Sequence, residues 1–226
     1  MRRAVWRFWL RWRFRLFQRH RHRRLALEWV GGKPFLVLPE VFNPGLFPTG
    51  AFLAQQVSAR RLPPDAAVLD MGAGAGIGAV FAAEAARRVV AVDINPEAAR
   101  CARINALLNR VEDRVAVCEG DLFEPVQGQR FDLVLFNPPF YQGEPRGLYD
   151  HAWHSPDVVE RFAAALAAHL TPGGCALVVL STNGRSAAHL QAFRDHDLCV
   201  ETVAERDMIS EVLTVHELRP RRAGGR

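Results

Sequence analysis

The chain has 226 residues, enough to bury roughly 70% of its unfolded surface without a disulfide or metal staple, so a single domain is expected. Its formal charge of +5 hides a division: residues 1–24 hold ten arginines and residues 219–226 four more, with no acid in either, leaving 15 basic against 24 acidic residues (−9) over 25–218. The acidic body excludes a broad nucleic-acid footprint away from the ends, the spacing of Cys101, Cys118, Cys175 and Cys199 excludes a zinc or redox CxxC pair, and no apolar run is long enough to span a bilayer.

Residues 2–17 predict a helix, with Val5, Phe8, Trp9, Trp12 and Leu16 on one face and Arg7, Arg11 and Arg15 on the other. A basic amphipathic helix suits a membrane surface, RNA or a partner protein, and equally an extension packed on its own domain. His20 and His22 lie among arginines, whose charge opposes a bound cation. This N-terminus has no uncharged apolar stretch of the secretory kind, and reduced cysteines in a cytoplasmic protein are expected. Strand-like pieces at Leu25–Val30 and Phe35–Leu38 flank Gly31-Gly32. A loop of turn formers and aromatics follows from Val41 to Gly50, then a helix from Ala51 to Arg61.

From there strand and helix alternate. Val68–Met71 is a strand, followed by a glycine loop and a helix running to about Arg88. Val89–Val92 is the next strand, and a helix runs from Pro96 to about Asn109. Arg114–Cys118 and Phe131–Phe136 are strands three and four. Ser155 is placed to cap a helix reaching Leu170, and Pro172-Gly173-Gly174 makes a turn into Ala176–Leu180. A helix over 186–195 precedes strands at Val200–Ala204 and Val212–Leu218, which lack a helix between them. The alternation predicts an α/β, Rossmann-like, seven-stranded and mostly parallel sheet with right-handed crossovers, ending in an antiparallel hairpin strand.

Two strand ends carry the chemistry. Asp70-x-Gly72-Ala73-Gly74-x-Gly76 leaves a strand and opens a helix, a place where glycines let the backbone approach a ligand. A dinucleotide would set its pyrophosphate on that helix N-terminus, and Gly74-x-Gly76-x-x-Ala79 fits such a site weakly. A carboxylate directly ahead of the loop repels a pyrophosphate and suits the cationic methionine end of S-adenosylmethionine. Asp93, next to Ile94, stands where ribose hydroxyls are taken, and Asp121, next to Leu122, where an adenine amino group is met. The alternative is that Asp93 caps a helix and Asp121 a turn. The second end is Asn137-Pro138-Pro139-Phe140, where two prolines halt an apolar strand and leave an amide, a stiff carbonyl and a ring at its carboxyl end.

These residues resemble class I methyltransferases over about 41–218. Asn137-Pro138-Pro139-Phe140 is similar to the [DNS]-P-P-[YFW] motif of enzymes that methylate amino groups on planar systems. Those include adenine-N6 and guanine-N2 nucleic-acid methyltransferases and HemK-type glutamine methyltransferases. The layout looks most like the small HemK-related proteins, in the loop Val41-Phe-Asn-Pro…Pro48-Thr49-Gly50-Ala-Phe52-Leu53 and in Asp150-His-Ala-Trp153…Val159-Glu-Arg-Phe162. It departs from the glutamine enzymes in ending the motif with Phe140, where tyrosine is usual there and phenylalanine is common in the RNA enzymes. Residues 1–24 also have no counterpart in the glutamine enzymes with a full helical N-terminal domain.

The chain is expected to divide into a basic extension over 1–24 and a basic tail over 219–226, both read from their arginines, around a hairpin, substrate-side loop and helix over 25–62 and a cofactor domain over 63–218. The resemblance implies S-adenosylmethionine held by Asp70, Gly72, Ala73, Gly74, Gly76, Asp93, Ile94, Asp121, Leu122, Asn137 and Thr49, with Thr49 touching the cofactor's carboxylate or, alternatively, capping the helix it begins. Asn137 and Pro138 would accept the two N–H groups of the target nitrogen, Pro139 would stiffen the turn and Phe140 would stack on the planar group. No metal is expected; His151 and His154 lack an acid or cysteine pair beside them. Glu40 and Glu144 are candidates for the substrate mouth. The expected reaction is N-methylation of a protein glutamine, with a translation factor as the candidate substrate and an rRNA, tRNA or DNA amino group as the alternative. In either case the basic arm is available to nucleic acid, the ribosome or an acidic surface. A partner protein that binds the cofactor without catalysis, and a nicotinamide oxidoreductase, are the remaining alternatives.

Overall fold

The computed structural model describes residues 24–45, 47–139, 157–208 and 211–221. An antiparallel hairpin of β1 (Ala26–Val30) and β2 (Lys33–Val37) leads through a loop to α1 (Thr49–Ser58). Then follow β3 (Ala67–Met71), α2 (Ile77–Ala82), β4 (Arg88–Asp93), α3 (Pro96–Leu108), β5 (Val115–Glu119), a 3-10 turn at Glu124–Val126, and β6 (Phe131–Phe136). Beyond residue 156 come α4 (Val158–Leu166), β7 (Leu170–Ser181), α5 (Ser186–Asp195), β8 (Leu198–Asp207) and β9 (Val212–Pro220). The main sheet has the order β5-β4-β3-β6-β7-β9-β8; its first five strands run parallel, and β9 is antiparallel to both neighbours. This is the sheet that the alternation predicts, hairpin included.

The apolar runs of β3, β4 and β6 are buried on both faces because the sheet has a core on each side. Leu69, Met71, Val134 and Phe136 enter one core, closed by Val159 and Phe162 of α4 and Phe193 of α5. Val68, Ala91, Leu133 and Leu135 enter the other, closed by Phe52, Leu53 and Val57 of α1 and Ala79 and Ala82 of α2. Among the described residues, no helix is long and apolar enough to cross a membrane.

Several element ends differ from expectation, among them Leu166 in place of Leu170 for α4 and Leu198–Asp207 in place of Val200–Ala204 for β8, and three differences bear on the frame of the sheet. The helix after the glycine loop stops at Ala82 rather than near Arg88, because the Arg87 and Arg88 N–H groups donate to the Ala66 carbonyl and draw the chain into β4. Helix α1 begins at Thr49, behind Pro48, two residues early. Pro172-Gly173-Gly174 does not separate helix from strand. β7 starts at Leu170, opposite Phe131, and bulges out four residues before Cys175 pairs opposite Leu133. Asp132 pins that bulge: one oxygen accepts from the Thr171 hydroxyl at 2.7 Å and the other from the Ala67 N–H at 2.9 Å.

The hairpin is seated by one amide. Asn105, wholly buried on α3, accepts from the Leu36 N–H at 2.7 Å and donates to the carbonyls of Leu36 at 2.7 Å and Ala75 at 2.9 Å. It thus ties β2 to the glycine loop. Truncation would strand several backbone groups in a dry site, at about 1–3 kcal/mol for an unsatisfied group. Asn105→Ala is therefore expected to lower stability by about 3 kcal/mol in urea unfolding, with the hairpin's amides losing hydrogen-exchange protection first.

Candidate active site

β3 and β6 are parallel neighbours in the register Asp70↔Leu135 and Met71↔Phe136. Gly72 and Asn137 therefore leave the sheet at the same level, at the carboxyl edge where ligands of open α/β sheets sit. A cavity of about 340 Å³ opens there. Its wall includes Asp70, Gly72, Ala73 and Gly74 from β3 and its loop, Asp93 and Ile94 after β4, Asp121 and Leu122 after β5, and Asn137, Pro138 and Pro139 after β6. Residues far apart in the chain thus meet on one surface.

Gly72, Gly74 and Gly76 have φ of +64°, +55° and +76°, left-handed values that side chains resist. Two carboxylates hold this loop. Asp93 accepts from the Gly74 N–H at 2.8 Å with one oxygen and from the Asn95 N–H at 2.9 Å with the other. Asp70, 6% exposed, accepts from the Ala79 N–H at 2.7 Å, in the first turn of α2. That contact occupies the helix end where a pyrophosphate would bind, and it disfavours a dinucleotide. Burial pushes the Asp70 carboxyl up to about 7; the Ala79 N–H pulls against this, and Asp93 adds to the rise. Helix α3 is capped by Asn95, whose Oδ1 accepts from the Glu97 N–H at 3.0 Å, so the helix cap is not Asp93.

Asn137 is held at its amide end, where Nδ2 donates to the Thr49 hydroxyl at 3.3 Å. Its Oδ1 is buried and has no hydrogen-bond partner. Thr49 makes no side-chain cap for α1, and that helix contributes Gly50 and Leu53 to the cavity wall. Gly76 lies behind the wall, where an added Cβ would meet the Ala102 Cα at 3.0 Å. Phe140, Glu144, His151, His154 and Ser155 lie outside the described residues, as do residues 1–23.

Asp121 carries an ion pair that local sequence does not announce. Arg161 of α4 places Nη1 2.5 Å from Asp121 Oδ2 and Nε 3.2 Å from Asp157 Oδ1, and all three residues border the cavity. Hydrogen bonding to Asp121 raises the pKa of Arg161. The turn's own bond is the Glu124 N–H to the Asp121 carbonyl, which leaves the side chain for Arg161. Leu122 and Glu40, both on the wall, have φ of +49° and +65°, a strained conformation for residues with side chains.

The near lip is set by the hairpin. Glu28 of β1 accepts from Asn43 Nδ2 at 3.1 Å, and Asn43 Oδ1 accepts from the Gly45 N–H at 2.8 Å. This fixes the loop that contributes Phe42 and Pro44. Sequence reasoning missed Gly78, Asn95 and Arg161. Gly78 carried a signal in hindsight, as a fourth glycine at alternate positions after Gly72, Gly74 and Gly76.

A Cβ on Gly78 would sit 2.5 Å from Asp70 Oδ1. Gly78→Ala is expected to cost about 2 kcal/mol in chemical unfolding, as overpacking against a fixed group does. Asp70 also fixes a sign. An unfolded aspartate releases its proton near pH 4, whereas the native one keeps it to about 7, so the native state binds more protons between those values. This group's contribution to stability should fall as pH rises through that window, and urea midpoints of Asp70→Asn should lack that part of the decline.

The sequence aligns at 34% identity over 183 residues with the release factor glutamine methyltransferase of Geobacter sulfurreducens, covering 74% of this chain and 62% of that protein. It also aligns at 34% over 137 residues with the ribosomal RNA small subunit methyltransferase C of Alcanivorax borkumensis, covering 60% of this chain and 39% of that one. The chain thus spans less than two thirds of the length of either relative. In structure it superposes on the 16S rRNA N2 G1207 methyltransferase of T. thermophilus, solved with AdoMet and guanosine, with a TM-score of 0.68 and 23% identity over 88% of this chain and 50% of that one. The fold is the Rossmann-like fold of those enzymes. The model of one family, the methyltransferase small domain, matches residues 34–206, and the chain belongs to that family.

Proposed function

We propose that this chain is an S-adenosylmethionine-dependent N-methyltransferase whose acceptor is a planar amino or amide nitrogen, and that the acceptor is a glutamine side chain of a protein. The observation that carries the reading is the buried, unpartnered Oδ1 of Asn137 on the cavity wall. A buried acceptor left without a donor costs about 1–3 kcal/mol, and a ligand N–H removes that cost.

The residues present fit the cofactor. Among the carboxylates that border the cavity, Asp70, Asp93 and Asp121 stand at three strand ends, suited to an ammonium group, ribose hydroxyls and an adenine amine, and the helix end that would draw a phosphate holds Asp70. Asp70, Asp93, Ile94, Asp121, Leu122 and the loop Gly72–Gly76 would hold it. When bound, it supplies a methyl group made electrophilic by a sulfonium centre.

The chain's task is to prepare a poor nucleophile. An amide nitrogen has its lone pair delocalised. Asn137 Oδ1 and the Pro138 carbonyl each accept one N–H of the target, which fixes the plane of the nitrogen and stabilises the positive charge that grows on it. Thr49 holds the Asn137 amide so that the oxygen, not the NH2, meets the substrate. Pro138 and Pro139 restrict the backbone of this turn. The extra proton on nitrogen is acidic after transfer and passes to water, so no general base is required beforehand.

A protein substrate is favoured by the extent of the match to the release factor enzyme and by the acidic body over 25–218. The alternative acceptor is a nucleobase amino group of rRNA or tRNA, favoured by the similarity to the rRNA enzymes and by the arginines of residues 1–24. Transfer of tritiated methyl to cell extract separates the two, since label on a protein is removed by protease and label on RNA by nuclease. Asn137→Ala is expected to lower the transfer rate by about 10²–10³ while S-adenosylmethionine affinity changes little. A variant as active as the parent would sink the role given to this amide.

A further inference from the structure

We infer that Arg161 is a positioning residue that sets the base preference of the cavity, by pinning Asp121 so that one carboxylate oxygen is left to accept a hydrogen bond from a nucleobase. The inference rests on the S-adenosylmethionine reading above and deepens it.

The placement begins with the packing of α4. Val159, Phe162, Ala163 and Leu166 are its buried side, and the Phe162 ring stacks on Phe136 at 4.3 Å and on Phe123 at 5.5 Å. Phe136 ends β6 beside Asn137, and Phe123 follows Leu122 after β5. The helix is therefore locked to both strand ends that border the cavity, and Arg161, one residue before Phe162, is carried to Asp121. Its guanidinium is divided: Nε engages Asp157 on its own helix and Nη1 engages Asp121 Oδ2 at 2.5 Å. The grip on Asp121 is lopsided, because Nη2 lies 3.5 Å from Oδ1. Oδ2 takes the short bond and Oδ1 only the long one, so Oδ1 keeps the greater capacity to accept.

A single oriented acceptor discriminates between bases. A 6-amino purine offers it an N–H, whereas a 6-oxo purine sets a lone pair against a carboxylate. Sites built on one such polar match reject the mismatched analogue far more strongly than apolar pockets do. The pair does little for the fold itself. With side chains 44% and 29% exposed, it is of the class of ion pair that adds little to stability.

The test is isothermal titration of the full chain with S-adenosylhomocysteine and with S-inosylhomocysteine, its 6-oxo counterpart. The unaltered chain is expected to prefer the amino form by about tenfold or more. Arg161→Met keeps the stem and removes every donor; it should narrow that preference by about fivefold with a thermal midpoint near that of the parent, and Arg161→Lys should restore part of it. A preference unchanged in Arg161→Met, or absent in a parent that binds both ligands, overturns the role of Arg161 and leaves the wider reading standing. A parent that binds neither ligand overturns the S-adenosylmethionine reading, and this inference falls with it.

Discussion

A carboxylate buried against the first turn of a helix is the constraint from which the rest of the site follows. Asp70, the last residue but one of β3, accepts the Ala79 N–H, so the chain between them must turn back within eight residues. Three left-handed glycines make that turn, Gly78 lacks the Cβ that would strike Asp70, and Asp93 holds the Gly74 amide from the neighbouring strand. The loop is suspended between the carboxyl groups of Asp70 and Asp93. Its chemistry suits a ligand that brings positive charge and many donors. This arrangement is costly for the protein alone, since burial pushes the Asp70 pKa up against the charged form, and a cationic ligand group would favour that charged form.

The same economy governs Asn137. An amide whose NH2 is held by Thr49 and whose oxygen meets no donor is a second unrelieved polar group on the same cavity wall. Leu122 and Glu40 hold strained left-handed backbone on that wall. Left-handed backbone at non-glycine residues also occurs away from the wall, at Arg110 and Asp197, but among the described residues the buried side-chain polar atom left without a partner is the Asn137 oxygen. Asn105 illustrates the contrast. It is as deeply buried as any residue in the chain, and its amide oxygen and NH2 both engage backbone. It has the profile of a structural residue, Asn137 that of a functional one, though both are buried asparagines.

What was legible in the sequence follows from the range of the interactions. β3, β4 and β6 are runs of apolar residues bounded by turn formers, and such runs declare themselves locally. The glycine loop and the Asn-Pro-Pro turn are likewise written in consecutive residues. The end of α2 was not legible, because alanines from 82 to 86 favour a helix and only the distant Ala66 carbonyl draws the chain away from it. Arg161 and Asn105 were not legible either. Each acts across 40 to 69 residues of sequence, and one arginine among 28, or one asparagine in a helix, carries no period or spacing that marks it. The Thr49 contact was legible only as a position: a threonine before an apolar helix reads as a cap, yet Pro48 starts the helix and frees the hydroxyl for an amide 88 residues away.

Register joins the two halves of the site. β3 and β6 contact through Val68↔Leu133, Leu69↔Val134, Asp70↔Leu135 and Met71↔Phe136, with each residue's neighbours assigned to opposite cores. A slip of one residue would exchange every side chain between the two faces, and both cores would resist it. The hydrophobic pairing that stabilises the sheet therefore also fixes, at its carboxyl edge, the level at which Gly72 and Asn137 emerge. A methyl donor bound over the glycine loop and a nitrogen gripped by Asn137 would then meet with little further adjustment, because the alignment is already set by the seven apolar side chains that pair β3 with β6 around Asp70. Proximity of this kind is worth several kcal/mol of barrier in well-aligned reactions, about 7–11 at best. On the proposed reading it would come from the packing of the fold, which sets the level at which Asn137 leaves β6.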